Sequence, residues 1–204
     1  MAKIKNLLFD LGGVLLNIDY NKTADAFKKL GVVKFDELYS QADANDLFEA
    51  LETGKIKEED FYITLQQYCH TGTSKEQIET AWNSMLGSFR IESLNWLKVI
   101  KSKYNIFLLS NTNSIHLTAF NKIFKEEVNQ SSMDDYFIKA WYSHNIQKRK
   151  PYPSTYLFVL NEAGLKAAET LFIDDSIKNI EGAKEAGLQV HHLLPGDKIE
   201  EMLL

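Results

Sequence analysis

The sequence predicts an α/β protein, a parallel sheet covered by helices with a separate helical bundle inserted after the first strand. Three observations carry this. Short, nearly continuous apolar runs of strand length recur along the chain, and amphipathic stretches separate the later ones. Between the first run and the second lies a long segment with helical periodicity only.

The predicted strands are Asn6 to Phe9, Ile106 to Leu109, Ile138 to Tyr142, Thr170 to Ile173 and Gln189 to Leu194. None alternates polar and apolar residues, which suits strands buried on both faces. From about Asn17 to Gly87 the pattern is helical: Phe27 with Leu30, then Leu47, Phe48 and Leu51, then Phe61, Leu65 and Tyr68, then Ile78, Trp82 and Met85. Ser74 and Gln77 form a predicted capping box for the last of these helices. Ile91, Leu94, Leu97 and Ile100 mark one face of the next helix. Pro153 opens another, where its missing N–H costs nothing, and Gly164 closes it. A further helix starts near Ser176 and ends at Gly187. The expected division is a core of residues 1–16 and 88–204 and a helical unit of 17–87.

Composition narrows the function. The hydrophobic fraction of 45% and charged fraction of 25% are those of an ordinary globular protein. Acidic residues outnumber basic ones, 28 to 23, for a formal charge of -5, and no basic cluster offers a nucleic-acid surface. Cys69 is the single cysteine, which excludes an intramolecular disulfide or a multi-cysteine metal site. Lys3 and Lys5 precede an apolar stretch from Leu7 to Leu16, but Asp10 interrupts it and no cleavage site of small residues follows. A cytoplasmic protein without a membrane span is expected.

Chemistry-bearing residues fall at the carboxyl ends of the predicted strands, where ligand sites of open α/β sheets lie. Asp10 ends the first strand and precedes Gly12-Gly13, glycines that let backbone N–H groups approach an anion. Ser110-Asn111-Thr112 closes the second, with a hydroxyl, an amide and the following helix N-terminus to bind a phosphate. Lys150 stands in a loop braced by Pro151 and Pro153, a fixed positive charge. Asp174 and Asp175 end another buried strand, and adjacent carboxylates there repel unless a cation relieves them. Hard oxygen donors of this kind suit Mg²⁺.

The set Asp10-x-Gly-Gly-Val, Ser110-Asn111-Thr112, Lys150-Pro151 and Asp174-Asp175-Ser resembles the four motifs of the haloacid dehalogenase superfamily. The helical insertion is similar to that superfamily's cap domain, over a Rossmann-like three-layer core. Asp10 through Tyr20, and Leu51-Glu52-Thr53-Gly54-Lys55-Ile56, resemble bacterial sugar phosphatases such as α-D-glucose-1-phosphatase. The resemblance implies a Mg²⁺-dependent phosphatase of a small phosphorylated metabolite. Asp10 would be the nucleophile, forming an aspartyl-phosphate. Mg²⁺ would be held by Asp10, the Gly12 carbonyl and Asp175, with Asp174 acting behind them. Ser110, Asn111 and Lys150 would grip the phosphate, Lys150 also keeping Asp10 ionised.

One position departs from the pattern. Such phosphatases commonly carry a second aspartate two residues after the nucleophile, and Gly12 stands there instead. General acid–base help of that kind is worth about 10²–10⁴-fold. Metal-bound water or another side chain, Asp19 or His116, would have to stand in, or the leaving group must be a good one. The alternatives are a 2-haloacid dehalogenase, which lacks that aspartate too but needs no Mg²⁺, and a catalytically weak regulatory protein of the same fold.

Overall fold

The computed structural model describes residues 2–39 and 46–202. The part of the helical expectation that covers 40–45 therefore lies outside the described residues. In chain order the elements are β1 (Asn6–Phe9), β2 (Leu16–Ile18), α1 (Tyr20–Lys29), α2 (Phe35–Leu38), α3 (Asp46–Glu52), α4 (Glu58–Gln66), α5 (Lys75–Asn83) and β3 (Leu86–Phe89). There follow α6 (Ile91–Ile100), β4 (Asn105–Ser110), α7 (Ser114–Val128), β5 (Lys139–Tyr142), α8 (Ser143–Ile146), α9 (Pro153–Glu162), β6 (Thr170–Asp174), α10 (Ile177–Glu185) and β7 (Gln189–His192).

Five parallel strands form the main sheet in the order β5-β4-β1-β6-β7. Each predicted run is a strand, and the absence of alternation has the expected cause. Leu7 and Phe9 of β1 face a core with Leu94 and Leu97 of α6 and Phe120 and Phe124 of α7. Leu8 faces the opposite core, with Tyr156 and Val159 of α9 and Ile180 of α10. Both faces are dry, so both carry apolar residues: a Rossmann-like three-layer core. No helix among the described residues is long and apolar enough to cross a membrane.

The segment from α1 to α5 builds a core of its own, dominated by rings. Phe27 stacks on Phe35 at 4.2 Å, and Trp82, fully buried, contacts Phe48 at 5.1 Å and Phe61 at 5.7 Å. Ile115 of α7 joins the same cluster, tying it to the sheet's helices. The predicted Ser74–Gln77 capping box is present in both directions, at 3.3 and 2.8 Å.

Three details differ from the sequence reading. The segment is not helical to its ends, because β2 and β3 pair antiparallel, Leu16 with Phe89 and Ile18 with Leu86. Strands of three and four residues that pair across some seventy positions leave no local periodicity to detect. Ile91 and Tyr68, placed on buried helical faces, are 39% and 54% exposed. Ile91 is the first residue of α6 and Tyr68 lies beyond the end of α4, where a helical stripe no longer meets a partner.

Candidate active site

The strand order puts β4, β1 and β6 side by side, so the residues following them converge at one sheet edge. Asp10 leaves β1 with its N–H still bonded to the Ile173 carbonyl at 2.9 Å. The chain then turns tightly, the Leu11 carbonyl accepting from Leu15 and Leu16 N–H groups at 2.8 and 2.9 Å. Gly13 sits in this turn at φ +70°, and a Cβ there would lie 2.0 Å from Asp175 Oδ2. Only glycine meets both demands.

Lys150 is 1% exposed, and its Nζ lies 2.6 Å from Asp10 Oδ1 and 2.7 Å from Asp174 Oδ2. Its loop, which contains a cis Lys150–Pro151 peptide, is clasped by the Asn111 side chain. Asn111 Nδ2 donates to the Lys150 carbonyl and the Lys150 N–H donates to Asn111 Oδ1, both at 2.9 Å. Gly182 of α10 closes the far side, since a Cβ there would strike the Pro151 carbonyl oxygen at 1.9 Å.

The paired acids divide. Asp174 is fully buried, and its oxygens accept from Lys150, from Asn179 Nδ2 at 3.0 Å and from the Ser176 N–H at 2.8 Å. Asp175 lines the cavity with Asp10, Gly12, Ser110, Asn111 and Lys150. The cavity measures about 300 Å³, room for a small metabolite.

Electrostatics make this group a fitting home for a divalent cation. Oxygens of Asp10, Asp174 and Asp175 come within 4.8 Å of one another, and the Lys150 ammonium pairs with the first two. Burial, opposed by Lys150 but reinforced by Asp174 and Asp175, pushes the Asp10 carboxyl up to about 8. The Lys150 ammonium pulls the other way, toward an ionised Asp10, but it is shared with Asp174, and Asp175 adds to the negative charge. A hard cation among these oxygens would supply the missing positive charge.

The two stand-ins for the absent aspartate are otherwise engaged. Asp19 caps α1, accepting from the Asn21 N–H at 3.1 Å. His116 touches the cavity, but its Nε2 contacts the Trp82 carbonyl at 3.1 Å and its Nδ1 contacts Asn113 Nδ2 at 3.2 Å. Burial depresses its pKa to about 4, so it is a neutral bridge between α5 and α7.

Sequence reasoning missed the wall opposite in chemistry to the strand ends: Tyr20, Tyr39, Glu49, Glu52 and Arg149. Arg149 Nε pairs with Glu52 Oε2 at 2.9 Å and its Nη1 with Glu49 Oε2 at 3.2 Å. The Glu52 contact is a charge pairing at an oblique angle, not an aligned hydrogen bond. Tyr39 donates to Glu52 Oε1 at 2.9 Å. The sequence hints were Arg149's place beside Lys150 and the presence of Tyr20 and Glu52 in the two stretches that resemble sugar phosphatases.

The profile of the haloacid dehalogenase-like hydrolases matches residues 4–187. The chain belongs to this family. This haloacid dehalogenase-like hydrolase is 31% identical over 187 residues to the D-ribitol-5-phosphate phosphatase of Bacteroides thetaiotaomicron, covering 91% of this chain and 90% of that one. It is also similar to a family enzyme of Bacteroides thetaiotaomicron solved with magnesium and inorganic phosphate. That likeness has a TM-score of 0.85 and 34% identity over 96% of this chain and 97% of the other. The L-2-haloacid dehalogenase of Xanthobacter autotrophicus shares the fold, with a TM-score of 0.61 and 21% identity over 93% of this chain and 77% of its own.

Proposed function

We propose that this hydrolase is a Mg²⁺-dependent phosphatase of a small sugar or polyol phosphate, working through an aspartyl-phosphate on Asp10. The observation that carries the reading is the buried Lys150 ammonium 2.6 Å from Asp10, beside Asp175, in one cavity at the sheet edge. Residues 1–16 and 88–204 serve as the catalytic core and 17–87 as a cap over it. The ribitol phosphatase and the magnesium–phosphate complex among its relatives support both the reaction and the ion.

Asp10, the Gly12 carbonyl and Asp175 would hold Mg²⁺, which shields the charge that otherwise keeps an anionic nucleophile from an anionic phosphate. The Asp10 carboxylate attacks phosphorus, the bond to the leaving oxygen breaks, and that oxygen takes a proton. Water then attacks the acyl phosphate, releasing inorganic phosphate and returning Asp10. Ser110 and the Lys150 ammonium face the phosphoryl oxygens. With its side chain spent on the Lys150 backbone, Asn111 contributes by fixing Lys150, leaving its main-chain N–H for the phosphate. Asp174, saturated by Lys150, Asn179 and Ser176, positions the lysine and touches no reactant.

The dehalogenase alternative rests on a likeness of fold alone, and it leaves the oxygens of Asp10 and Asp175 without a cation to hold. A panel of sugar and polyol phosphates assayed with Mg²⁺, with EDTA, and beside 2-chloropropionate tests the choice. Phosphate release that EDTA abolishes is the expected outcome. Halide release without metal would refute it.

A further inference from the structure

The distal wall carries an excess of negative charge that the phosphatase reaction does not use. Arg149 follows Lys148 and precedes Lys150, and a second phosphate or carboxylate on a substrate would need such a cation. Here it is already faced by two carboxylates, Glu52 at 2.9 Å and Glu49 at 3.2 Å. Lys150 is divided between Asp10 and Asp174. Among the described residues the lining has one further cation, Lys178, on the first turn of α10 three residues after Asp175.

Glu52 cannot swing its charge away. It is 3% exposed, tethered by Arg149 on one oxygen and by the Tyr39 hydroxyl on the other. Burial raises its pKa while Arg149 and the Tyr39 hydrogen bond pull it back. Tyr152, whose hydroxyl lies 3.4 Å from Glu49, extends the same polar surface. In a cavity of about 300 Å³, a ligand that reaches Asp10 and fills the space meets this wall.

We infer that Glu49 and Glu52 act as a charge filter on the leaving group, the more exposed Glu49 accepting hydrogen bonds from its hydroxyls and both carboxylates repelling a second anionic group. The substrate class is thereby a phosphate monoester whose remainder is uncharged and hydroxyl-rich; bisphosphates and phosphorylated acids are excluded. The inference rests on the phosphatase reading and names the residues that would set its specificity. Opposition of like unit charges across a few ångströms at a partly buried site supports discrimination of about 10- to 100-fold.

Ribitol 5-phosphate and 5-phosphoribonate make the test, because they match in carbon skeleton and differ by one carboxylate at the far end. The wild-type enzyme is expected to prefer ribitol 5-phosphate by at least about tenfold in kcat/KM. In Glu49→Gln/Glu52→Gln, Arg149 is released from its counter-charges. The preference should then fall or reverse, with an absolute rise in kcat/KM for 5-phosphoribonate that a merely loosened site would not give. Equal wild-type use of the two esters, or a variant losing both in proportion, would overturn the filter. If neither ester nor p-nitrophenyl phosphate released phosphate, the phosphatase reading itself would fall, and the filter with it.

Discussion

A Lys150→Met variant is expected to lose stability and turnover together. Methionine matches the lysine stem in length, so the change removes charge with little change of shape. The ammonium is buried between Asp10 and Asp174, and without it two carboxylates face each other out of water. Stripping one partner from a buried ion pair typically costs about 3–5 kcal/mol. The lower end fits here, for two reasons. Asp174 keeps Asn179 and the Ser176 N–H, and Asp10, already pushed up to about 8, takes up a proton instead of staying charged. That proton would disable Asp10 in its proposed role as nucleophile. Loss of the fixed charge at the phosphate should lower kcat/KM by a further 10²- to 10³-fold, on the order of a lost oxyanion donor. Denaturant midpoints and kcat/KM in Mg²⁺ check both. A variant within tenfold of wild type would show that Lys150 only fills space.

The second large effect comes from a residue without a side chain. Gly13→Ala places a Cβ at 2.0 Å from Asp175 Oδ2, in a backbone conformation at φ +70°. The left-handed conformation alone costs about 1–2 kcal/mol, which a domain of this size tolerates. The clash is of another kind, because Asp175 must move, and with it one of the oxygens proposed to hold Mg²⁺. The variant is expected to remain folded by circular dichroism while the Mg²⁺ concentration for half-maximal activity rises about 100-fold, the upper range for a disturbed metal environment. Unaltered Mg²⁺ dependence would mean that Asp175 does not hold the ion.

Much of this architecture is legible in the sequence for a physical reason. A strand buried on both faces must be largely apolar, and the central strands β1, β4 and β6 announce themselves in that way, while the edge strand β7 is only half-buried. Asp10, Ser110 and Asp175 then meet because β1, β4 and β6 are neighbours, and Lys150 joins them through the loop after β5. What escaped notice depends on contacts between distant segments. The β2–β3 pairing joins short strands with no period to read. Asn111 carries a site motif, yet its side chain spends its hydrogen bonds on the Lys150 backbone. Arg149 meets Glu49 and Glu52 only once the helical segment folds against the sheet, a hundred residues apart in the chain for the Glu49 contact.

The missing aspartate at position 12 now has a structural setting. A Cβ on Gly12 would meet Ile18 Cγ1 at 3.2 Å, at an ordinary φ, so the glycine is not forced by its backbone. Asp19 caps α1 and His116 bridges α5 and α7, which leaves metal-bound water or the substrate's own hydroxyls as the proposed source of the leaving group's proton.

The most direct measurement is mass spectrometry of enzyme quenched in acid during turnover of a polyol phosphate. A phosphoryl adduct should appear on the peptide containing Asp10, only with Mg²⁺ present, and be absent from Asp10→Asn. Phosphate release at full rate with no adduct, or from the Asp10→Asn enzyme, would contradict the nucleophilic role of Asp10.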